Sequence, residues 1–277
     1  MDIVFDRRGE GPPLVLLHGI GHRRQGWAPV MDLLAAERDV IALDLPGFGD
    51  SPPLPPSAPY TVDSVLTVLA EFFDELGLEA PHIAGNSLGG LFALEAADRG
   101  LVSSATALSP AGFFNALELR YAAAVLRASR LGARVPETLL TRLARSPRRR
   151  AVMFGMVYGR PELMDLDALT GDARAMREAR AFDATLRAGR TARFLGSCAD
   201  VPVTIAWGTK DRLLLPTQAI RAQRRLPDAD FVWLEGCGHV PMADDPPLVA
   251  RTILKGSDHP LKTRSTAPAT DGDRVGG

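Results

Sequence analysis

His82-Ile83-Ala84-Gly85-Asn86-Ser87-Leu88-Gly89-Gly90-Leu91 is the stretch whose reading decides the fold. His82-Ile83-Ala84 reads as the end of a buried strand, and Leu91-Phe92-Ala93-Leu94-Glu95-Ala96-Ala97 as an apolar helix. Between them stands a G-x-S-x-G pentapeptide, Gly85 to Gly89. In that setting it predicts a tight strand-to-helix turn, a nucleophile elbow, that holds the Ser87 hydroxyl clear of the sheet. Glycines flank the serine because such a turn strains the serine backbone and leaves no room for side chains beside it. The pentapeptide alone is a weak signal; the strand before it and the helix after it make it specific.

A serine hydroxyl is a poor nucleophile at neutral pH, so a base must take its proton and a carboxylate must orient that base. The histidines are His18, His22, His82, His239 and His259. His82 lies in the strand feeding the elbow, His259 in a polar tail, and His18 and His22 flank an early loop. His239 follows the apolar run Phe231-Val232-Trp233-Leu234 within the flexible turn Gly236-Cys237-Gly238-His239. That is the C-terminal end of a strand, where open α/β sheets gather their ligands, and it makes His239 the candidate base. Asp211 follows the β-rich run Val203-Thr204-Ile205-Ala206-Trp207 through a short turn, and is the candidate carboxylate. The rival acid position, after Ala105-Thr106-Ala107-Leu108, holds Ser109-Pro110 and supplies none.

An oxyanion needs backbone N–H groups aimed at its developing charge. One is expected from Leu88, the residue after the nucleophile. The other is expected from Ile20, with Gly21 next, in the loop His18-Gly19-Ile20-Gly21. His18 itself reads as a residue that fixes this loop by hydrogen bonds.

Five segments now stand in order: Leu14-Val15-Leu16-Leu17-His18-Gly19, Asp44-Leu45-Pro46-Gly47-Phe48-Gly49-Asp50-Ser51, Gly85-Asn86-Ser87-Leu88-Gly89-Gly90, Trp207-Gly208-Thr209-Lys210-Asp211 and Gly236-Cys237-Gly238-His239. Together the chain resembles the α/β-hydrolase family, over almost its whole length up to about Lys255. The resemblance implies a mainly parallel, doubly wound α/β sheet with a helical cap inserted after the sixth core strand. It implies the chain order nucleophile, acid, base, which Ser87, Asp211 and His239 follow. It also implies a serine hydrolase that cleaves a small or medium carboxylic ester through an acyl-enzyme, with no metal or organic cofactor. The Asp44–Ser51 segment looks like the family's structural turn and carries no chemistry. Serine at the elbow argues against the dehalogenase and epoxide-hydrolase chemistry of related enzymes, which attack through a carboxylate. The elbow is also similar to that of carbon–carbon hydrolases of ring-fission products. Those enzymes usually carry a longer glycine- and proline-containing loop after His-Gly and a Trp after the catalytic His; this chain has His22-Arg23-Arg24 and Val240. Cofactor-free haloperoxidase or perhydrolase chemistry and a low-turnover ligand sensor stay open as further readings.

Composition sets the outer bounds. A chain of 277 residues, 46% of them hydrophobic, can bury one domain with an insertion. No apolar run approaches bilayer length, and the N-terminus lacks a basic start followed by an apolar stretch. The expectation is therefore a cytoplasmic protein without stable membrane insertion, whose partner is a small molecule. A net charge of −1 and the lack of a recognition motif speak against nucleic acid. Cys198 and Cys237 form neither a disulfide framework nor a metal-ligand spacing.

The sheet-forming core is expected over residues 1–110 and 201–255, with a helical cap over 111–200 and a tail without order over 256–277. Residues 1–6 can supply only one short strand before Leu14, which shortens the N-terminal edge. A proline-rich loop precedes a helix starting near Thr61. Within the cap, helices are expected over 117–131, 136–145 and 173–195. Counted from Ala111 to Cys198, the cap holds sixteen arginines, no lysine and eight carboxylates, against a remainder of net −9. Arg148-Arg149-Arg150 reads as a solvated face, with contact to phosphate groups as the alternative. Phe113, Phe114, Met153, Phe154, Met156, Tyr158 and Phe182 are apolar residues of the cap that read as its packing, with lining of the substrate pocket as the alternative.

Overall fold

The computed structural model describes residues 1–258. Seven strands form one sheet: β1 (Phe5–Arg8), β2 (Pro13–Leu17), β3 (Asp39–Leu43), β4 (His82–Asn86), β5 (Ser104–Leu108), β6 (Val203–Gly208) and β7 (Asp230–Leu234). Their order is β1-β3-β2-β4-β5-β6-β7, with β1 antiparallel to β3 and every other pair parallel. Strands β3, β5 and β6 are buried at every position, as a parallel sheet covered on both faces requires.

Ten α-helices accompany the strands among the described residues: α1 (Ala28–Ala35), α2 (Val62–Glu75), α3 (Leu88–Asp98), α4 (Ala116–Gly132), α5 (Glu137–Ala144), α6 (Pro147–Phe154), α7 (Leu166–Glu178), α8 (Phe182–Ala188), α9 (Pro216–Arg225) and α10 (Pro246–Ser257). Side chains alternate across the sheet, as the pleat dictates. Val15, Ile41, Ile83, Ala105 and Ile205 pack with α2, α3 and α9, whereas Leu14, Leu16, Val40, Ala84 and Ala206 pack with α1 and α10. Thr61 starts α2 as a cap, its hydroxyl accepting from Ser64 N–H.

The helical insertion follows β5, the fifth strand of this chain rather than a sixth, because only one short strand precedes β2. Its helices divide more finely than the sequence suggests. An Asn115–Glu118 capping box starts α4. The arginine-rich α6 comes as an addition, and Pro147 at its start presets a helical turn. The expected helix over 173–195 breaks at Ala179, and residues 189–195 are not helical. The cause is tertiary: Ala179 and Ala181 are buried in the core, and Ala181 N–H bonds Gly47 O at 3.0 Å. At the other end α10 runs through Ser257, two residues into the segment expected to lack order. Residues 259–277 of that segment, with His259, lie outside the described residues. Among the described residues no helix is long and apolar enough to cross a membrane.

Candidate active site

Ser87 is the single residue between β4 and α3, at φ 58°, ψ −112°. A side chain in that region is strained, and persists only where its surroundings hold it. Here they do. A Cβ on Gly85 would stand 2.1 Å from Gly89 O, and one on Gly89 would stand 2.2 Å from Leu17 O. Both flanking glycines are thus required by the close packing of the elbow on itself and on β2. Ser87 N–H bonds Leu108 O, and Ser87 O accepts from Leu91 and Ala111.

The strand order reverses between β2 and β4, so the loops after these two strands flank the sheet's switch point, the usual ligand crevice of an open α/β sheet. The loop after β2 brings Gly19 against the serine; a Cβ there would lie 3.2 Å from Ser87 Cβ and 3.6 Å from its Oγ. His18, wholly buried, bonds Gly19 O through Nδ1 at 2.8 Å and accepts Leu45 N–H at Nε2, 3.0 Å away. Burial pulls its pKa down to about 4, against the opposing charge of Asp44. Asp44 in turn accepts from Arg24 and from Asp50 N–H, which holds the turn after β3. Neither Ile20 N–H nor Leu88 N–H donates to a protein acceptor among the described residues. Leu88 opens α3, where the first N–H groups of a helix lack intrahelical partners.

Asp211 and His239 meet from the loops after β6 and β7. The buried Asp211 carboxylate accepts Leu213 N–H at 2.9 Å and Leu214 N–H at 2.8 Å, and reaches His239 Nδ1 at 2.8 Å. With Nδ1–H donated to the carboxylate, Nε2 is left as an acceptor. His239 Nε2 is buried and has no hydrogen-bond partner among the described residues.

Residues without a role in the sequence reading hold this loop in place. Asn86 Nδ2 donates to His239 O at 2.8 Å and to Leu108 O at 3.1 Å, tying the elbow to the histidine. Val157 O accepts from both His239 and Val240. The Asp244 carboxylate accepts from Gly238 at 2.7 Å and from Gly159 and Arg160 at 2.8 Å each. Burial raises the Asp244 pKa, opposed by those three N–H groups. Asn86 had a signal of sorts, its place inside the pentapeptide. Asp244 and Val157 had none, because the partners that join them across the molecule, Gly159 and Arg160 for Asp244 and His239 and Val240 for Val157, lie more than 80 residues away along the chain.

A cavity of about 560 Å³ lies between α4, α5, α6, α7 and the loop after β2, with Gly21, Val125, Leu140, Phe154 and Met176 in its walls. Met153, Phe154, Met156 and Tyr158 line it, while Tyr158 is also buried in a core cluster and Phe154 packs against it, so pocket lining and cap packing coincide there. Phe113 and Phe182 belong to the sheet's core, and Phe114 lies under the Arg193 guanidinium. One wall of the cavity is polar. Tyr158 Oη donates to Asp172 at 2.6 Å, with His22 Nε2 and Arg23 Nε at 3.6 and 3.7 Å from the same carboxylate. Burial alone would lower the His22 pKa, but the Asp172 charge and hydrogen bond outweigh it and raise it. Among the described residues no group of three His, Cys, Asp or Glu side chains could hold a metal.

Residues 14–252 match the family described as Alpha/beta hydrolase family. The chain is 30% identical over 261 residues to an uncharacterized protein of Mycobacterium tuberculosis, covering 88% of this chain and 74% of that one. It is 26% identical over 248 residues to lipase 3 of a Moraxella species, covering 84% and 73%. The crystal structure of a bacterial membrane phospholipase A superimposes with a TM-score of 0.70 at 27% identity, covering 92% of this chain and 83% of that chain.

Proposed function

The chain belongs to the α/β-hydrolase family, and from that premise we propose that it is a serine hydrolase of small or medium carboxylic esters. Ser87 Oγ attacks the ester carbonyl carbon while His239 Nε2 takes the hydroxyl proton. Asp211 holds the imidazole with its proton on Nδ1 and stabilises the imidazolium that forms. The N–H groups of Ile20 and Leu88 receive the oxyanion. His239 then protonates the departing alcohol, leaving an acyl-enzyme, and activates the water that releases the acid and restores Ser87. The helical insertion acts as a cap, and the cavity between its helices and the loop after β2 receives the acyl group; about 560 Å³ suits a small-molecule site.

The observation that carries this reading is the buried His239 Nε2, which has no hydrogen-bond partner among the described residues while Asp211 fixes the other ring nitrogen at 2.8 Å. Likeness to a lipase and to a phospholipase A supports ester over carbon–carbon cleavage. The test is hydrolysis of short and medium p-nitrophenyl esters at pH 7 to 8. Ser87→Ala should lose a factor of about 10⁴ or more in kcat. Asp211→Asn, which imposes the wrong tautomer, should lose about 10³ to 10⁴. A folded wild-type protein inert toward every ester would overturn the proposal.

A further inference from the structure

We propose that the tip of the helical insertion, built by α5 and α6, is a docking surface for an anionic lipid bilayer. Between Glu137 and Glu162 the chain holds six arginines and no acidic residue. Arg142 and Arg145 at α5, and Arg148 and Arg149 on α6, are exposed and make no ion pair among the described residues. Arg150 turns inward instead and bonds Met164 O.

Large apolar side chains stand among these charges. Val152 is 83% exposed, Leu163 73%, Leu139 46% and Met153 37%. On α6 the spacing of Arg148, Arg149, Val152 and Met153 puts them on one continuous strip of the helix. No residue of α6 is buried. It packs beside α5 and beside the short turn Pro161–Leu163, which brings Leu139 and Leu163 to the same end of the insertion.

A solvated face explains the arginines, but not the gathering of Leu139, Val152, Met153 and Leu163 into one exposed apolar patch among them. A lipid surface satisfies both: guanidinium groups reach the phosphates while Leu, Val and Met side chains enter the acyl boundary. Anionic headgroups complement the unpaired charge. The cavity adds a reason to prefer lipid over an acidic protein. Met153 and Gly132 line it and are exposed, so an apolar space opens beside the patch, where a lipid chain can enter. The docking goes beyond the ester reading and does not rest on it.

Co-sedimentation of the full chain with vesicles tests this, using phosphatidylcholine alone against an equal mixture with phosphatidylglycerol. Polyglutamate beads serve as the protein-like control. Ser87→Ala protein can be used throughout, so failure of catalysis and failure of docking are read separately. We expect binding to the mixed vesicles, little to the neutral ones, and release by salt. Arg148→Glu with Arg149→Glu should weaken it by about tenfold or more, as should Arg142→Glu with Arg145→Glu on the neighbouring helix. Val152→Ser should weaken it by about threefold. In the wild-type background the Arg148, Arg149 and Val152 changes should leave hydrolysis of soluble esters unaltered. No sedimentation with either vesicle overturns the proposal. So does equal retention on polyglutamate that ignores Val152→Ser, which would assign the patch to an acidic protein.

Discussion

His18 is fully enclosed with both ring nitrogens committed, Nδ1 toward Gly19 O and Nε2 toward Leu45 N–H. These bonds agree with its reading from sequence as a loop-fixing residue. Burial holds its pKa near 4, whereas an unfolded histidine titrates near 6.5. Between those values the unfolded chain takes up a proton that the folded chain refuses. Stability from this residue is therefore complete above about pH 6.5 and is lost as pH falls toward 4, by roughly 3 kcal/mol over the window. His22 works in the opposite direction: Asp172 raises its pKa, so its contribution is present at low pH and lost as pH rises. Urea unfolding between pH 7 and 4.5 should show wild type weakening more steeply than His18→Gln. Parallel loss in the two proteins would mean that His18 is not held neutral.

At the scale of elements, the loop after β7 is suspended from three sides. Asn86 holds it from the elbow, Asp211 from the loop after β6, and Asp244 joins it to residues 159 and 160 of the insertion. Asp244→Ala strands three N–H groups that bond a carboxylate, Gly238 buried and Gly159 and Arg160 half-buried. The expected loss is about 3 kcal/mol, which in a chain of this size lowers Tm by roughly 6 to 12 °C. Because Gly238, which Asp244 holds, directly precedes His239, kcat should fall as well. Asp244→Asn, keeping one acceptor oxygen, should lie between. A lower Tm with kcat unchanged in the folded protein would show that the clamp serves stability alone. Sequence periodicity finds the strands that carry these loops. It misses the break at Ala179, because the apolar pattern runs on toward Ala181, which gives its N–H to Gly47 O instead of to a helix.

Seen whole, the molecule joins a sheet buried on both faces to an insertion whose outermost helix has no buried residue. Opening free energy should follow that contrast. Hydrogen exchange should be slowest in β4, β5 and β6 and fastest in α5 and α6; equal protection across the two would contradict it. The sequence by itself determined the elbow, the strands that present Asp211 and His239, and the chain order of the candidate residues. Turn chemistry and strand or helix period are written in adjacent residues, so they can be read locally. The 2.8 Å meeting of Asp211 with His239, the ties from Asn86 and Asp244, the cavity and the outward strip on α6 were decided only by the tertiary structure. Each depends on where segments far apart in the chain come to rest, and that is set by the packing of the whole core rather than by any one stretch of residues.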